Sequence, residues 1–432
     1  MIDLLALHAA NPERYPYLLE SAASSSGVQW DILFAFPQQT IDTDDGGFLA
    51  TLDASWNRAS KDERVDKSIP FRGGWFLFLD YELVHEIEPV LLSSKKESRS
   101  ISRSYATRIP AAILQEHSTG HIYFMDEDGE LTDRVRLMQE DLSNPESLHH
   151  PAAETIPATI IEEPSGKFLD GVEKIKHYIV EGDVFQVNLS RKWQGELSEL
   201  VEPYQIYQRL RESNPAPFAG LAVRNGMAVI SSSPERLIRV TDGVAETRPI
   251  AGTHPRSAES DEDEKLSEML LAHPKEQAEH IMLIDLERND LGRVCKPGTI
   301  EVDELMVLES YAHVHHIVSN VGGKLQDGVT PGDVIRALFP GGTITGCPKV
   351  RCMEIIDELE PEPRGGYTGS FGYLNHNGDM DLNILIRTIT QEGNTVSLRA
   401  GAGIVHDSIP QRELEETRAK ARGMLMALGV ET

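Results

Sequence analysis

The stretch Pro340–Pro361, PGGTITGCPKVRCMEIIDELEP, constrains the fold of this chain more than any other. A Gly-rich turn runs straight into an amphipathic pattern, so this part must form a tight loop feeding a helix. Gly341 and Gly342 permit close backbone approach. Pro348 suits a first helical position, where its missing N–H costs nothing. Val350, Met353, Ile356 and Leu359 recur at three-residue spacing and predict one buried stripe. The free N–H groups and macrodipole at such a helix start favour a bound carboxylate or phosphate. An ordinary loop–helix junction fits the same residues.

At 432 residues the chain can hold two or three average domains, or one large fused unit. Its 40% hydrophobic and 25% charged residues are those of a soluble globular protein. A net charge of −28 argues against nucleic acid or an anionic membrane as partner. A small anionic substrate needs only a locally positive pocket and is not excluded. Cys295, Cys347 and Cys352 fit no even disulfide framework and point to a reducing compartment. No apolar run reaches membrane-spanning length. The start, MIDLLALHAANPERYP, carries an acid at Asp3 and no basic region before an apolar core, unlike a signal peptide. A cytoplasmic protein is expected.

Asp31–Phe36 and Gly74–Leu79 read as buried strands, and Leu91–Tyr105 as an exposed, Ser- and base-rich loop. Residues 141–167 contain Pro145, Pro151, Pro157 and Pro164, and form the best linker candidate. They would separate an N-terminal region, 1–140, from a larger one, 168–428. In the latter, Phe168–Glu181, Lys275–Leu286 and Ile409–Leu428 read as helices. Val184–Leu189, Tyr311–Val321, Gly369–Leu374 and Asn383–Thr390 read as strands, and the acidic run Ala258–Glu264 as a solvated loop. The mixture is α+β (mixed α/β).

Two carboxylate pairs stand out. Glu276 and Glu279 share one helix face, as do Glu413 and Glu416. Such pairs are either solvated faces or ligands for a hard cation such as Mg²⁺, which selects carboxylate oxygens. His313 and His315 fall on one strand face and His316 on the other. The cysteines do not complete a zinc set around them, and packed or hydrogen-bonded histidines fit equally. In SSSPER, Glu235 and Arg236 stand at a strand end, where an acid can be held beside a base. A glutamine-hydrolysing cysteine on a Gly-flanked elbow is missing, because Cys347 is followed by Pro348. Any amination that uses glutamine therefore needs a second polypeptide.

Taken in order, several strings resemble component I of the chorismate-aminating enzymes, a group that holds aminodeoxychorismate and anthranilate synthases. They are GDVFQVNLS (Gly182–Ser190), SSSPERL (Ser231–Leu237), RPIAGT (Arg248–Thr253), EHIMLIDLERNDLGRV (Glu279–Val294), HHIVS (His315–Ser319), the opening segment, DMDLNILIRT (Asp379–Thr388), AGAGIVHDS and EETRAKA. The resemblance covers essentially residues 168–428, and the first 110 residues match more loosely. It implies an anthranilate synthase component I-like fold: two large antiparallel-rich β-sheets packed as a sandwich and surrounded by helices.

The resemblance also implies roles. Glu279 and Glu416 would be the principal Mg²⁺ ligands, with Glu276 and Glu413 as second pair members. Tyr367, Arg387, Ala402 and Gly403 would hold the carboxylates of chorismate, and an Arg fork suits that task. Ala251, Gly252, Thr253, Thr345, Gly346 and Lys420 would line the same pocket, and His316 would stand beside the reacting ring. Glu235 would protonate the departing C4 hydroxyl, since hydroxide leaves poorly without an acid. Hydroxylating relatives carry a lysine base where this chain has Gln186, so ammonia is the expected nucleophile.

Product choice is contested within the sequence. Many aminodeoxychorismate synthases carry a lysine at position 251; this chain has Ala251, and in that it resembles anthranilate synthases. PGGTITG, the GSFGYL strand and the short chain lean towards aminodeoxychorismate. Leu18–Ser21 (LLES) resembles a tryptophan-feedback motif, but the element that usually follows it is absent. The expected reaction is ammonia-dependent formation of 4-amino-4-deoxychorismate on the way to p-aminobenzoate, with a glutamine amidotransferase as ammonia source. Anthranilate formation and a catalytically silent chorismate-binding subunit are the alternatives.

Overall fold

The computed structural model describes residues 2–21, 29–43, 47–59, 68–93, 102–144, 156, 158–255, 263, 269, 273–310 and 314–430. Among these, strands assemble into an eleven-stranded and a ten-stranded sheet, with every pairing antiparallel. The first runs Gly346–Cys347, Gln186–Leu197, Thr395–Ile404, Thr388–Glu392, Met227–Ser233, Phe218–Arg224, Tyr17–Glu20, Trp30–Ala35, Ala111–Glu116, Ile122–Asp126. The second runs Ile250–Pro255, Val314–Lys324, Val244–Thr247, Arg236–Thr241, Met380–Asn383, Ser370–Asn375, Gly74–Leu79, Tyr105–Ile109, Thr40–Asp42. Ala158–Glu162 and Glu301–Ser310 add to Gln186–Leu197 and Val314–Lys324.

The sheets meet face to face. Tyr17, Phe34 and Val229 of one interleave with Phe76, Phe78 and Phe371 of the other, and the Tyr17 and Phe76 rings stack at 4.1 Å. Burial on both faces explains why Gly74–Leu79 reads as an unbroken apolar run. Helices cover the outer faces, including Ser165–Glu181, Pro274–Gly292, Lys349–Leu359 and Pro410–Ala427.

Both sheets are built from both ends of the chain. Tyr17–Glu20 pairs with Phe218–Arg224, and Gly74–Leu79 with Ser370–Asn375. The regions 1–140 and 168–428 are thus interleaved, and part of the linker stretch is itself structured. Ile156 is buried, Ala158–Glu162 is a strand, and the following helix begins at Ser165. Residues 145–155 and 157 lie outside the described residues.

Three further expectations shift. Asn383–Thr390 is two strands rather than one, because the chain turns between them and Arg387 takes a left-handed φ of 52°. Leu91–Tyr105 is not simply an exposed loop. Ser104 is buried and donates to Asp80 at 2.8 Å, satisfying a carboxylate that burial would otherwise strand. Pro348 caps the Lys349–Leu359 helix instead of opening it, and the buried stripe widens to Cys352, Met353, Ile355 and Ile356, with Val350 and Leu359 half-buried.

Candidate active site

The Gly341–Gly346 turn joins two groups of side chains. At its end, Gly346 pairs with Val187 and takes a φ of 129°. A Cβ there would stand 2.0 Å from the Gln186 carbonyl, so only glycine fits. Asn188, two residues after Gln186 and on the same strand face, donates from its side chain to Ile344 O (3.1 Å) and Tyr367 Oη (3.4 Å). Its N–H donates to Thr345 O at 2.9 Å. The fully buried Thr345 hydroxyl donates to Gly341 O at 2.9 Å, so it shapes the turn itself.

The neighbouring strand Thr395–Ile404 carries Gly401, Ala402 and Gly403 opposite Ser190, Leu189 and Asn188. A Cβ on Gly401 would come within 2.6 Å of Tyr367 Oη. The missing side chain at Gly401 leaves room for the Tyr367 phenol and, at 3.1 Å, for the Asn188 amide oxygen. Gln186 is buried, and its Oε1 has no hydrogen-bond partner. An acceptor in that state invites an N–H donor.

At the other end of the turn stands Glu235, between Met227–Ser233 and Arg236–Thr241. Ser233 Oγ accepts its N–H at 3.2 Å, and its carbonyl accepts from Ile384 N at 2.9 Å. Burial pushes its carboxyl up to about 7; the Thr343 hydroxyl, the Ile250 N–H and the Lys420 ammonium only partly offset this. Thr343 stands close enough to act on Glu235, yet Thr343 Oγ1 and Glu235 Oε1 make no well-aligned hydrogen bond. Arg236 turns away from Glu235 and forks onto Asp381 at 2.8 and 3.0 Å, so the two do not form the acid–base pair their adjacency allows.

Glu287, which the sequence reading missed, sits under the same turn. A Cβ on Gly342 would lie 3.4 Å from its Oε1. Burial and Asp290 push its carboxyl up to about 8, against the pull of Lys349, and Glu235 adds to the rise. Lys349, from the opening segment, ion-pairs with Asp290. Glu287 is two helical turns from Glu279, a spacing that would have exposed it.

His316 is buried, and burial lowers its pKa to about 4, with Arg387 adding to the effect. It is therefore neutral near pH 7 and faces the backbone of Gly252, which forms a bulge at φ 67° opposite it. Ala251 and Thr253 flank that bulge in Ile250–Pro255, and their side chains lie outside the described set. Arg387 has no carboxylate partner among the described residues, and its contact with Asn214 Oδ1 is long at 3.4 Å. Burial lowers its pKa. A half-buried guanidinium with no such carboxylate beside it has donors free for an anion.

Glu276 and Glu413 occupy the first turns of two helices, where the macrodipole favours negative charge, and Glu279 and Glu416 lie one turn further on. Glu276, Glu279 and Glu413 are half-buried, and Glu416 is exposed and paired with Lys420 at 2.7 Å. Lys420 also donates to Gly401 O at 3.1 Å. An all-carboxylate set suits Mg²⁺ chemically. In arrangement the fit is incomplete: among the described residues no three His, Cys, Asp or Glu groups gather as a metal site. His315 is held by Ser310 Oγ (2.7 Å) and Asp263 (3.0 Å), and His313 lies outside the described residues.

Comparison with known proteins decides the family. A model of chorismate binding enzymes matches residues 15–426. The chain belongs to the chorismate-binding enzymes. This chorismate-binding enzyme is 43% identical over 383 residues to aminodeoxychorismate synthase component 1 of Bacillus subtilis, covering 87% of the chain and 81% of that protein. It is 42% identical over 367 residues to an anthranilate synthase component I-like protein of Synechocystis, covering 85% and 75%. The solved structure of anthranilate synthase component I from Streptococcus pneumoniae superposes with a TM-score of 0.80 at 30% identity, covering 93% of each chain. The fold and the use of chorismate follow. No helix among the described residues is long and apolar enough to cross a membrane.

A separate cavity of about 200 Å³ lies behind the Glu235 wall, lined by Leu19, Glu20, Ser21, Pro234, Arg236 and Tyr373. Leu19, Glu20 and Ser21 of the LLES segment face this cavity, which they share with the Arg236–Asp381 pair.

Proposed function

We propose that this enzyme aminates chorismate to 4-amino-4-deoxychorismate, using ammonia released by a glutamine amidotransferase partner. The carrying observation is the pairing of chemistries across the turn: a carboxyl that burial lifts to about 7, able to give and take a proton near neutral pH, at Glu235, and an amide with an unpartnered acceptor at Gln186. An amide cannot deprotonate water, but its oxygen can accept from and orient ammonia.

In this reading Arg387, Tyr367 and the Thr345–Gly346 turn hold the substrate carboxylates. Glu235 gives its proton to the C4 oxygen as the C–O bond breaks, and water departs. Ammonia forms the new C–N bond, directly or by way of a 2-amino intermediate, and the resulting ammonium returns a proton to the Glu235 carboxylate. Ala251 has no amine, so no covalent enzyme adduct forms. Neutral His316 borders the ring without adding charge. Glu276, Glu279, Glu413 and Glu416 would hold Mg²⁺, which would neutralise a substrate carboxylate.

Ala251 favours a second reading, formation of anthranilate, and the name of the Synechocystis relative supports it. Incubation with chorismate, Mg²⁺ and ammonium separates the two. A product that yields p-aminobenzoate only after a separate lyase is added supports the first. Pyruvate release with fluorescent anthranilate supports the second.

A further inference from the structure

Tyr367 and the Ile344–Gly346 turn are far apart in sequence, and one buried side chain meets both. Arg364 is 1% exposed at its side chain. Its Nε and Nη2 donate to Glu360 at 2.9 and 2.7 Å. The rest of the fork is spent on the site: Nη1 on Ile344 O (3.3 Å) and Thr368 Oγ1 (3.2 Å), Nη2 on Asn188 O (2.9 Å). All five guanidinium donors are thereby used. The plane lies 4.8 Å from the Tyr81 ring and 5.5 Å from the Tyr367 ring. From the N-terminal region, Glu82 accepts the N–H groups of Arg364 and Gly365 at 2.8 and 3.0 Å.

Burial obliges every guanidinium N–H of Arg364 to find an acceptor, so what distinguishes this residue is which acceptors it uses. Here Glu360 already accepts from Ser190 N and Oγ at 2.8 and 2.9 Å, and Arg399 stands 3.5 Å away. The acceptors that Arg364 uses beyond Glu360 are Ile344 O, Thr368 Oγ1 and Asn188 O, with the Tyr367 ring beside them. These contacts lock the turn, the Gln186 strand and the phenol at one mutual spacing.

We infer that Arg364 is a positioning residue for the chorismate site, fixing Tyr367 against the Ile344–Gly346 turn and tying both to Tyr81 and Glu82 of the N-terminal region. The inference rests on the assignment of Tyr367 and the turn to substrate binding under the proposed function.

Arg364→Lys keeps the charge opposite Glu360 but replaces the planar fork with a point donor that cannot serve three acceptors at once. The expected result is a KM for chorismate raised about ten-fold or more, a kcat lowered less than about three-fold, and an unchanged KM for ammonium. Tyr81→Leu removes the ring beneath the guanidinium and leaves both charges in place, so it decides the matter if the lysine variant does not fold. It should raise the chorismate KM in the same direction by a smaller factor. A chorismate KM unchanged in the folded variants, with only the melting temperature lowered, overturns the inference and leaves the proposed function standing. A wild-type protein that neither binds nor consumes chorismate overturns both.

Discussion

A Cβ atom on Gly403 would stand 2.7 Å from Nε2 of Gln186. The amide occupies the space that any side chain on this strand would fill, and that contact fixes where its unpartnered oxygen points. Gly403→Ala should therefore push Gln186 off its position. Ammonium-dependent kcat/KM is expected to fall about ten-fold or more, with chorismate binding largely kept. Steady-state kinetics with ammonium and calorimetric binding of chorismate check the two halves.

Glu235→Gln should reduce kcat roughly 100- to 10,000-fold while chorismate still binds. In the wild type the rate should decline as pH rises through about 7, where Glu235 loses its proton. The same carboxyl carries a stability signature. Its folded pKa lies above the ordinary 4.5, so the folded state holds the extra proton between these values. Stability contributed by this group falls as pH rises from about 4.5 to about 7. Glu235→Gln removes that slope, and melting curves at pH 5 and pH 8 should show the variant gaining on the wild type at the higher pH.

His316 is shifted the other way. With a folded pKa of about 4 against an ordinary 6.5, the unfolded chain binds its proton first. The contribution of this group to stability is intact above about 6.5 and is lost as pH falls towards 4. Its ring resonances, followed by nuclear magnetic resonance, should show no titration between pH 8 and 5.

Arg387→Met should raise the chorismate KM at least about ten-fold. Because the guanidinium is half-buried without a carboxylate partner among the described residues, its loss should not lower the melting temperature. A variant that melts much earlier while keeping its KM would remove Arg387 from the site.

Chelation should end chorismate turnover, and added Mg²⁺ should restore it. Glu279→Gln should raise the Mg²⁺ concentration needed for half-maximal rate about ten-fold or more. Turnover that persists in excess chelator would show that the glutamate pairs are solvated faces.

Much of the core was legible because apolar runs such as Gly74–Leu79 and DILFAF report burial locally. The helices that carry the glutamates were legible in place but not in extent: Lys275–Leu286 falls within Pro274–Gly292, and Ile409–Leu428 encloses Pro410–Ala427. What was not legible depends on distance in sequence. Nothing local shows that Arg387 adopts a left-handed backbone, that Arg236 prefers Asp381 to its neighbour Glu235, or that Arg364 reaches Asn188 and Ile344. Asn188 and Glu287 were within reach, one by the two-residue period of a strand and the other by the helical repeat from Glu279. The proline-rich stretch misled about organisation because prolines mark where a chain turns, not where a sheet ends.

The interleaving of both sheets bears on how the chain can be divided or made. Tyr17–Glu20 lies between Trp30–Ala35 and Phe218–Arg224, and Gly74–Leu79 between Tyr105–Ile109 and Ser370–Asn375. Severed near residue 150, each fragment would carry raw strand edges whose mates reside on the other. Neither piece should be recoverable alone in soluble form, whereas co-expressed halves should find one another and rebuild activity. On the ribosome, likewise, the early strands must wait for the last third of the polypeptide before either sheet can close.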